Sequence, residues 1–319
     1  MGISTTALSE QKQASKPQGN RGSGVYEIVT KQILALLEKG TIPWRRPWSL
    51  VTGDEPMNVR GNLYRGANYF LLSALNYDRP IFLTFRQAIE LGESVRRGEK
   101  GFPVVYWKML EARNDDDEDQ SDRAKPKQIP FLRYYTVFNI SQCEGLRLPE
   151  RLKQTLQPPP GFDPITAAES IWANYPNPPK LRYFGSRATY NPVLDEIRMP
   201  PKHAFESREA YYCTLFHEMG HSTGHKSRLN REFSFNTSNQ TYAREELTAE
   251  MTSAFLCARA GISQPVIENQ AAYLAFWSKS LKDDPKLFVV AAGRAQKAAD
   301  HILGVNATEE AEPVTDICA

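Results

Sequence analysis

Cysteine is scarce in this chain. Its 319 residues hold four, at 143, 213, 257 and 318, and no two form a Cys-x-x-Cys pair. That excludes a cysteine-rich zinc knot or a dense disulfide framework, and it fits reduced thiols in a reducing compartment. Long apolar runs are missing too. Leu287 to Ala292 is among the longest, far short of the roughly 18 residues that a membrane span needs. The first 21 residues are polar and lack the apolar core of a secretory signal. The expectation is a soluble, cytoplasmic chain with no membrane contact. Net charge is nearly absent, at +2 from 39 basic and 37 acidic residues. Taken whole, that argues against a nucleic-acid binder, but the charge is unevenly spread. Residues 12–110 carry 15 Lys/Arg against 8 Asp/Glu, whereas residues 151–319 carry 18 against 19. Most of the remaining acid lies in one run, Asp115 to Asp122.

What is present is globular in composition, with 41% apolar and 24% charged residues. The length suits one large domain or two of ordinary size. Residues 1–23 read as a flexible tail. Ile28, Ile33, Leu34, Leu36 and Leu37 then give a helix from about Val25 a buried face, and Gly40 is its natural stop. Segments at Leu63–Tyr64, Ile81–Thr84, Val104–Trp107 and Phe131–Phe138 read as strands, with a helix near Thr84–Leu91 and the acidic run 114–122 as a solvated hairpin insertion. Three prolines at 158–160 mark a linker over 149–161. Beyond it, helices are expected at about 164–174, 207–224, 242–260, 265–281 and 284–303, with strands near Lys180–Tyr183 and Glu196–Met199 and a turn at Asn191-Pro192. The fold class is α+β: a mixed N-terminal domain over 24–148 and a mainly helical C-terminal domain with a small sheet over 162–304, followed by a tail at 305–319.

The strongest chemical signal is His217-Glu218-Met219-Gly220-His221. Ser207 is a good N-cap for the helix that carries it, and Tyr212, Leu215, Phe216 and Met219 give that helix one buried face. Histidines four apart share a side, about 6 Å apart at their β-carbons, so both imidazoles can grip one metal ion. Glu218 is rotated about 100° from His217 and suits a general base. With five histidines in the whole chain, this register is a poor candidate for accident. A tetrahedral site with an open position needs a third protein ligand. His225 continues the stripe 217, 221, 225, but on a straight helix those residues span about 12 Å, too far to converge. The longer metzincin pattern would put a histidine at position 227, which is Ser227. The next helix offers Glu246 and Glu250 on one face, and Glu246-Leu-Thr-Ala-Glu250 resembles the Glu-x-x-x-Asp element of gluzincins. That resemblance implies Glu246 as third ligand and Glu250 as the carboxylate that orients a ligand histidine. Glu250 and His225 stay open as alternative third ligands. Zinc suits the donor set, and so do manganese and cobalt. A peptidase also needs an electrophile for the oxyanion, for which Tyr242, His225 and Arg228 are the candidates. The strand near Glu196–Met199 is a possible edge for an extended peptide substrate.

The N-terminal half interleaves aromatics with cations. Cations that track phosphates and rings that stack on bases are what single-stranded nucleic acid requires. The candidate contacts are Trp44, Arg45, Arg46, Trp48, Arg60, Tyr64, Arg65, Arg86, Lys100 and Trp107. No helix-turn-helix or zinc-finger pattern appears, which favours single strands over duplex.

Read together, these segments resemble one family. They are Pro43-Trp44-Arg45-Arg46-Pro47-Trp48, Tyr64-Arg65-Gly66-Ala67-Asn68, Thr84-Phe85-Arg86-Gln87-Ala88, Gly98-Glu99-Lys100-Gly101, Val137 to Gln142, His217 to His221, Gly224-His225 with Arg228-Leu229-Asn230-Arg231, and Tyr242 to Glu250. The family is that of the ArdC-type antirestriction proteins of conjugative plasmids, and the resemblance runs in order over roughly residues 24–304. It implies a single-stranded-DNA-binding domain joined to a zincin-like metallopeptidase domain, and a role in protecting incoming plasmid DNA from host restriction. Two other readings compete with it. One is a metallopeptidase acting on DNA-associated proteins, and the other is a DNA-binding protein whose zincin domain is purely structural.

Overall fold

The structure is a computed structural model that describes residues 23–45, 55–92, 94–111, 128–145, 152, 163–233, 240–265 and 269–305. The acidic run 114–122, the linker 149–161 except Leu152, residues 1–22 of the N-terminal tail and residues 306–319 lie outside the described residues.

The N-terminal part runs α1 (Ser23–Glu38), β1 (Met57–Asn58), α2 (Gly66–Ser73), β2 (Ile81–Leu83), α3 (Phe85–Glu90), β3 (Phe102–Glu111) and β4 (Gln128–Asn139). Its four strands form one sheet in the order β1-β2-β4-β3, and the long β3–β4 hairpin pairs Phe102 with Val137 at one end and Glu111 with Gln128 at the other. Helix α3 begins where the sequence places it, because Thr84 and Gln87 cap each other reciprocally: the Gln87 amide donates to Thr84 Oγ1 at 3.2 Å and the Thr84 amide to Gln87 Oε1 at 2.9 Å.

The C-terminal part runs α4 (Pro164–Ala173), β5 (Lys180–Tyr183), β6 (Thr189–Asn191), β7 (Glu196–Met199), α5 (Arg208–Ser222), α6 (Gln240–Ala260), α7 (Gln270–Asp283) and α8 (Leu287–Leu303). The two-part α+β architecture expected from sequence is therefore present. Ser207 caps α5 by accepting from the Ala210 amide at 3.1 Å. The three-strand sheet has the order β5-β7-β6. This corrects one expectation: the strand Glu196–Met199 is β7, paired parallel to β5 and antiparallel to β6. Its backbone groups are used on both sides, so it has no edge for a peptide.

Three elements escape a sequence reading: the two-residue β1, α2 and β6, while the expected strand Leu63–Tyr64 is only an isolated bridge from Leu63 to Met57. Helix α2 is a short run, Gly66–Ser73, buried from Ala67 onward. Tertiary burial, rather than one amphipathic stripe, makes it a helix. Strand β6 replaces part of what reads as a turn and leads into β7 through Asn191–Asp195.

The main apolar core ignores the compositional boundary between the halves. Val29, Ile33 and Leu37 of α1, Trp44, and Phe70 of α2 share one cluster with Leu247 and Met251 of α6, Trp277 of α7, and Phe288 and Ala292 of α8. Alanines on α8 let the N-terminal helices approach closely. Two smaller clusters lie on the N-terminal sheet, one around Leu83 and Ala88 and one around Phe82 and Val104.

Candidate metal centre

The site is built where α5 crosses α6. The two helices meet closely at Gly220, where an added β-carbon would lie 3.0 Å from the Ala249 α-carbon and 3.1 Å from the Thr252 β-carbon. No larger residue fits this crossing without moving a backbone. The close approach brings Glu246 of α6 against both histidines of α5. His217 Nε2 lies 3.1 Å from His221 Nε2 and 3.1 Å from Glu246 Oε1, and His221 Nε2 lies 3.7 Å from Glu246 Oε2. Donor atoms on a tetrahedral ion with bonds of about 2.0–2.2 Å stand about 3.3–3.6 Å apart. The three side chains thus fit a divalent ion in spacing and in chemistry. Among the described residues they are the one group of three His, Cys, Asp or Glu side chains gathered in this way. The remaining alternatives for the third ligand are elsewhere. His225 is turned to Ser227 Oγ at 2.8 Å and lies near Asp195.

Glu250 also takes a place other than the expected one. Its carboxylate receives the Arg45 guanidinium, with Nε at 3.2 Å and Nη2 at 3.3 and 3.2 Å. The carboxylate that meets a ligand histidine is Glu245, next to Glu246 in the chain, whose Oε1 lies 3.4 Å from His221 Nδ1. Glu245 is itself clamped by Arg231, from Nε at 2.9 Å and Nη2 at 2.7 Å, and Arg231 also donates to the Thr223 hydroxyl and the Gly220 carbonyl. A hydrogen bond from Nδ1–H to Glu245 leaves the lone pair of His221 on Nε2, facing the cluster. The correction has a simple cause. The five residues from Glu245 to Glu250 turn the side chain by about 140° around α6, so the two carboxylates face different neighbours, and those neighbours come from distant segments.

The electrostatics follow from these contacts. Burial works against a charged His217, but Glu246 and the nearby Glu218 and Glu250 outweigh it and raise its pKa to about 9. Glu246 is held down at about 2: burial opposes this, and His217, His221 and a hydrogen bond from Tyr242 overcome it. Glu245 is lowered as well, its burial outweighed by Arg231 and His221. Glu218 is buried beside His217 on α5. Of the expected oxyanion electrophiles, Tyr242 stands at the cluster. Arg228 is fully buried and spent on Asp195, Tyr190 and the carbonyls of Ser222 and Asn177, where it ties the end of α5 to the β6–β7 turn. Sequence reasoning missed Glu245 and Arg231. Both stand in quoted motifs, but nothing local says that they meet.

The expected DNA contacts divide. Trp44 is buried, donates from Nε1 to the Tyr273 hydroxyl at 2.8 Å and packs edge-on against Trp277. Arg45 is bound to Glu250 and lies over the Tyr273 ring. Arg65 pairs with Asp300 of α8. These three hold the halves together and are not free to meet a nucleic acid, because the chain after α1 folds back onto α6–α8. Arg60, Arg86 and Lys100 are exposed, Arg86 pairing with Glu90 one turn on at 3.1 Å, and Tyr64 is half-buried against Phe82. Arg46 and Trp48 lie outside the described residues; Trp107 lies in β3, opposite Leu132. No helix among the described residues is long and apolar enough to cross a membrane.

Comparison with known proteins finds relatives of both halves. Residues 23–138 match the N-terminal domain of anti-restriction factor ArdC, and residues 167–294 match a zincin-like metallopeptidase domain. An uncharacterized protein, y4eC, of Sinorhizobium fredii is 37% identical over 286 residues, covering 86% of this chain and 90% of its own length. DNA primase TraC of Escherichia coli is 34% identical over 304 residues; the match takes in 91% of this chain but 28% of TraC. The crystal structure of metal-free antirestriction protein ArdC from plasmid R388 superposes with a TM-score of 0.67 at 40% identity, over 87% of this chain and 96% of that one. The Mn(II)-bound structure of the same protein matches equally, at 39% identity over 88% and 97%. Since the likeness takes in both halves, in order and nearly end to end, this chain belongs to the ArdC antirestriction family.

Proposed function

We propose that this protein binds single-stranded DNA through its N-terminal part and protects incoming plasmid DNA from host restriction, while its C-terminal part holds a divalent metal. The observation that carries this reading is the end-to-end likeness to the R388 antirestriction protein. The basic surplus of residues 12–110 supports it. The surface that remains for DNA includes Arg60, Arg86 and Lys100, and on α3 the Phe85 and Ile89 side chains are exposed one turn apart beside Arg86. Ring faces next to cations suit a strand that offers stacked bases and phosphates.

His217, His221 and Glu246 would hold the metal, with zinc the first choice and manganese or cobalt also suited. A divalent ion there supplies Lewis-acid chemistry toward a carbonyl. Around it Glu245 would fix the His221 ring, Glu218 would accept a proton, and Tyr242 would donate a hydrogen bond toward a developing oxyanion. A peptide or DNA-associated protein is the substrate class that such a set would serve.

The test uses the full chain. Binding of a labelled single-stranded oligonucleotide is followed by fluorescence anisotropy at several salt concentrations, and transfer of unmodified plasmid into a restricting host is measured with wild type and Glu218→Ala. Affinity should fall linearly on a logarithmic salt scale, by about 0.7 per phosphate contacted. Salt-insensitive binding, or no protection in the host, sinks the proposal. Protection that survives Glu218→Ala separates it from hydrolysis; protection that is lost makes hydrolysis central.

A further inference from the structure

Two thiols with no part in the chemistry above meet between the ligand-bearing helices. Cys213 on α5 and Cys257 on α6 are both buried and free, with their sulfurs 3.2 Å apart. Cys213 lies one turn before His217 on the same helix. The helices run antiparallel: seven residues back from Gly220 and eight forward from Ala249 lead about two turns along each, to Cys213 and Cys257. Ser253 adds a bond across the same seam, from its hydroxyl to the Cys213 carbonyl at 2.9 Å. A disulfide needs sulfurs about 2.05 Å apart, so closure asks for a movement of about 1.2 Å.

We propose that Cys213 and Cys257 are a redox-modification site, at which a peroxide closes a reversible disulfide between α5 and α6. A small cavity of about 30 Å³, lined by Trp44, Tyr69, Phe70, Ala254 and Ile262, reaches Cys257. It admits a molecule the size of water or hydrogen peroxide and excludes a peptide thiol. Cys257 sulfur attacks one peroxide oxygen, the O–O bond breaks, and a sulfenic acid and one water result. Cys213 sulfur then attacks the sulfenic sulfur, the S–S bond forms, and the hydroxyl leaves as a second water with the Cys213 proton. Two thiols are oxidised by two electrons, and one peroxide is reduced to two waters. Burial and the neighbouring Cys213 push the Cys257 thiol well above its ordinary range. The reaction is therefore slow, a response to sustained oxidation rather than to a brief pulse. The bond would fix the crossing that sets Glu246 against His217 and His221, and this consequence rests on the metal centre proposed above.

The full chain is treated with hydrogen peroxide and then denatured, its remaining thiols are blocked with N-ethylmaleimide, and peptides are mapped without reduction. The expected result is a linked 213–257 peptide pair, reversed by dithiothreitol, with Cys143 and Cys318 alkylated. Oxidised glutathione should leave the native pair reduced. Alkylation of both Cys213 and Cys257 after peroxide treatment, or bonds to Cys143 or Cys318 instead, overturns the proposal. In a second arm, Mn2+-loaded protein is challenged with a chelator, and the oxidised form should release metal several-fold more slowly. Equal release overturns the locking consequence. Failure to bind Mn2+ in either form refutes the metal reading and leaves the mapping result standing.

Discussion

Glu246 and Glu250 stand one turn apart on α6 and have different work. Glu246 faces the two histidines, and Glu250 anchors Arg45. Replacing Glu246 by Ala should lower Mn2+ affinity by more than about 100-fold, while Glu250→Gln leaves it within about threefold, both read by titration calorimetry. The proton on His217 adds a pH signature. Metal must displace it, so affinity should rise about tenfold per pH unit up to about pH 9 and then level off. Without metal the sign of the stability reverses. The His217–Glu246 pair contributes fully below the ordinary imidazole value of 6.5 and above the ordinary carboxylate value of 4.5; it is lost as pH rises through about 9 or falls toward about 2. Chemical denaturation of the metal-free chain between pH 5 and 9 should therefore show declining stability, and a flat profile would exclude the pair. Arg231→Ala strands a buried Glu245 and should cost about 3–5 kcal/mol in the same assay. The two-histidine spacing was legible from sequence because both partners lie within five residues. The division of labour among Glu245, Glu246 and Glu250 was not, because Arg45 and Arg231 decide it from more than ten residues away.

At the scale of elements, the crossing of α5 and α6 sets the site. Gly220→Val should overpack that crossing, costing about 1–3 kcal/mol or more. It should also draw Glu246 away from the histidines, so a lower melting temperature should come with reduced metal content by elemental analysis. A melting change at full metal content would show that the crossing tolerates the displacement. Elements with their own signals were read well. The Ser207 cap and the Thr84–Gln87 capping box fix helix starts through contacts three residues long. Elements without such signals were missed. Helix α2 owes its conformation to burial against α8, and β6 owes its conformation to β7; both partners are remote in sequence.

For the whole molecule, the change in charge texture along the chain was legible and the packing across it was not. Trp44 reads as an exposed stacking ring because its neighbours are arginines and prolines, yet it is 1% exposed among residues from α7 and α8. A fragment spanning 163–305 loses the cover that α1, Trp44 and α2 provide. It should aggregate or melt well below the full chain, and a full-chain melting temperature for the fragment would refute the shared core. The Arg65–Asp300 pair and the Trp44–Tyr273 bond have a further consequence for descent. A recombination event with its breakpoint between the halves would bring together faces that did not evolve as partners. The two parts should therefore be inherited as a single block, and chimaeras between relatives should fold only when residues 44, 45 and 65 travel with their C-terminal counterparts.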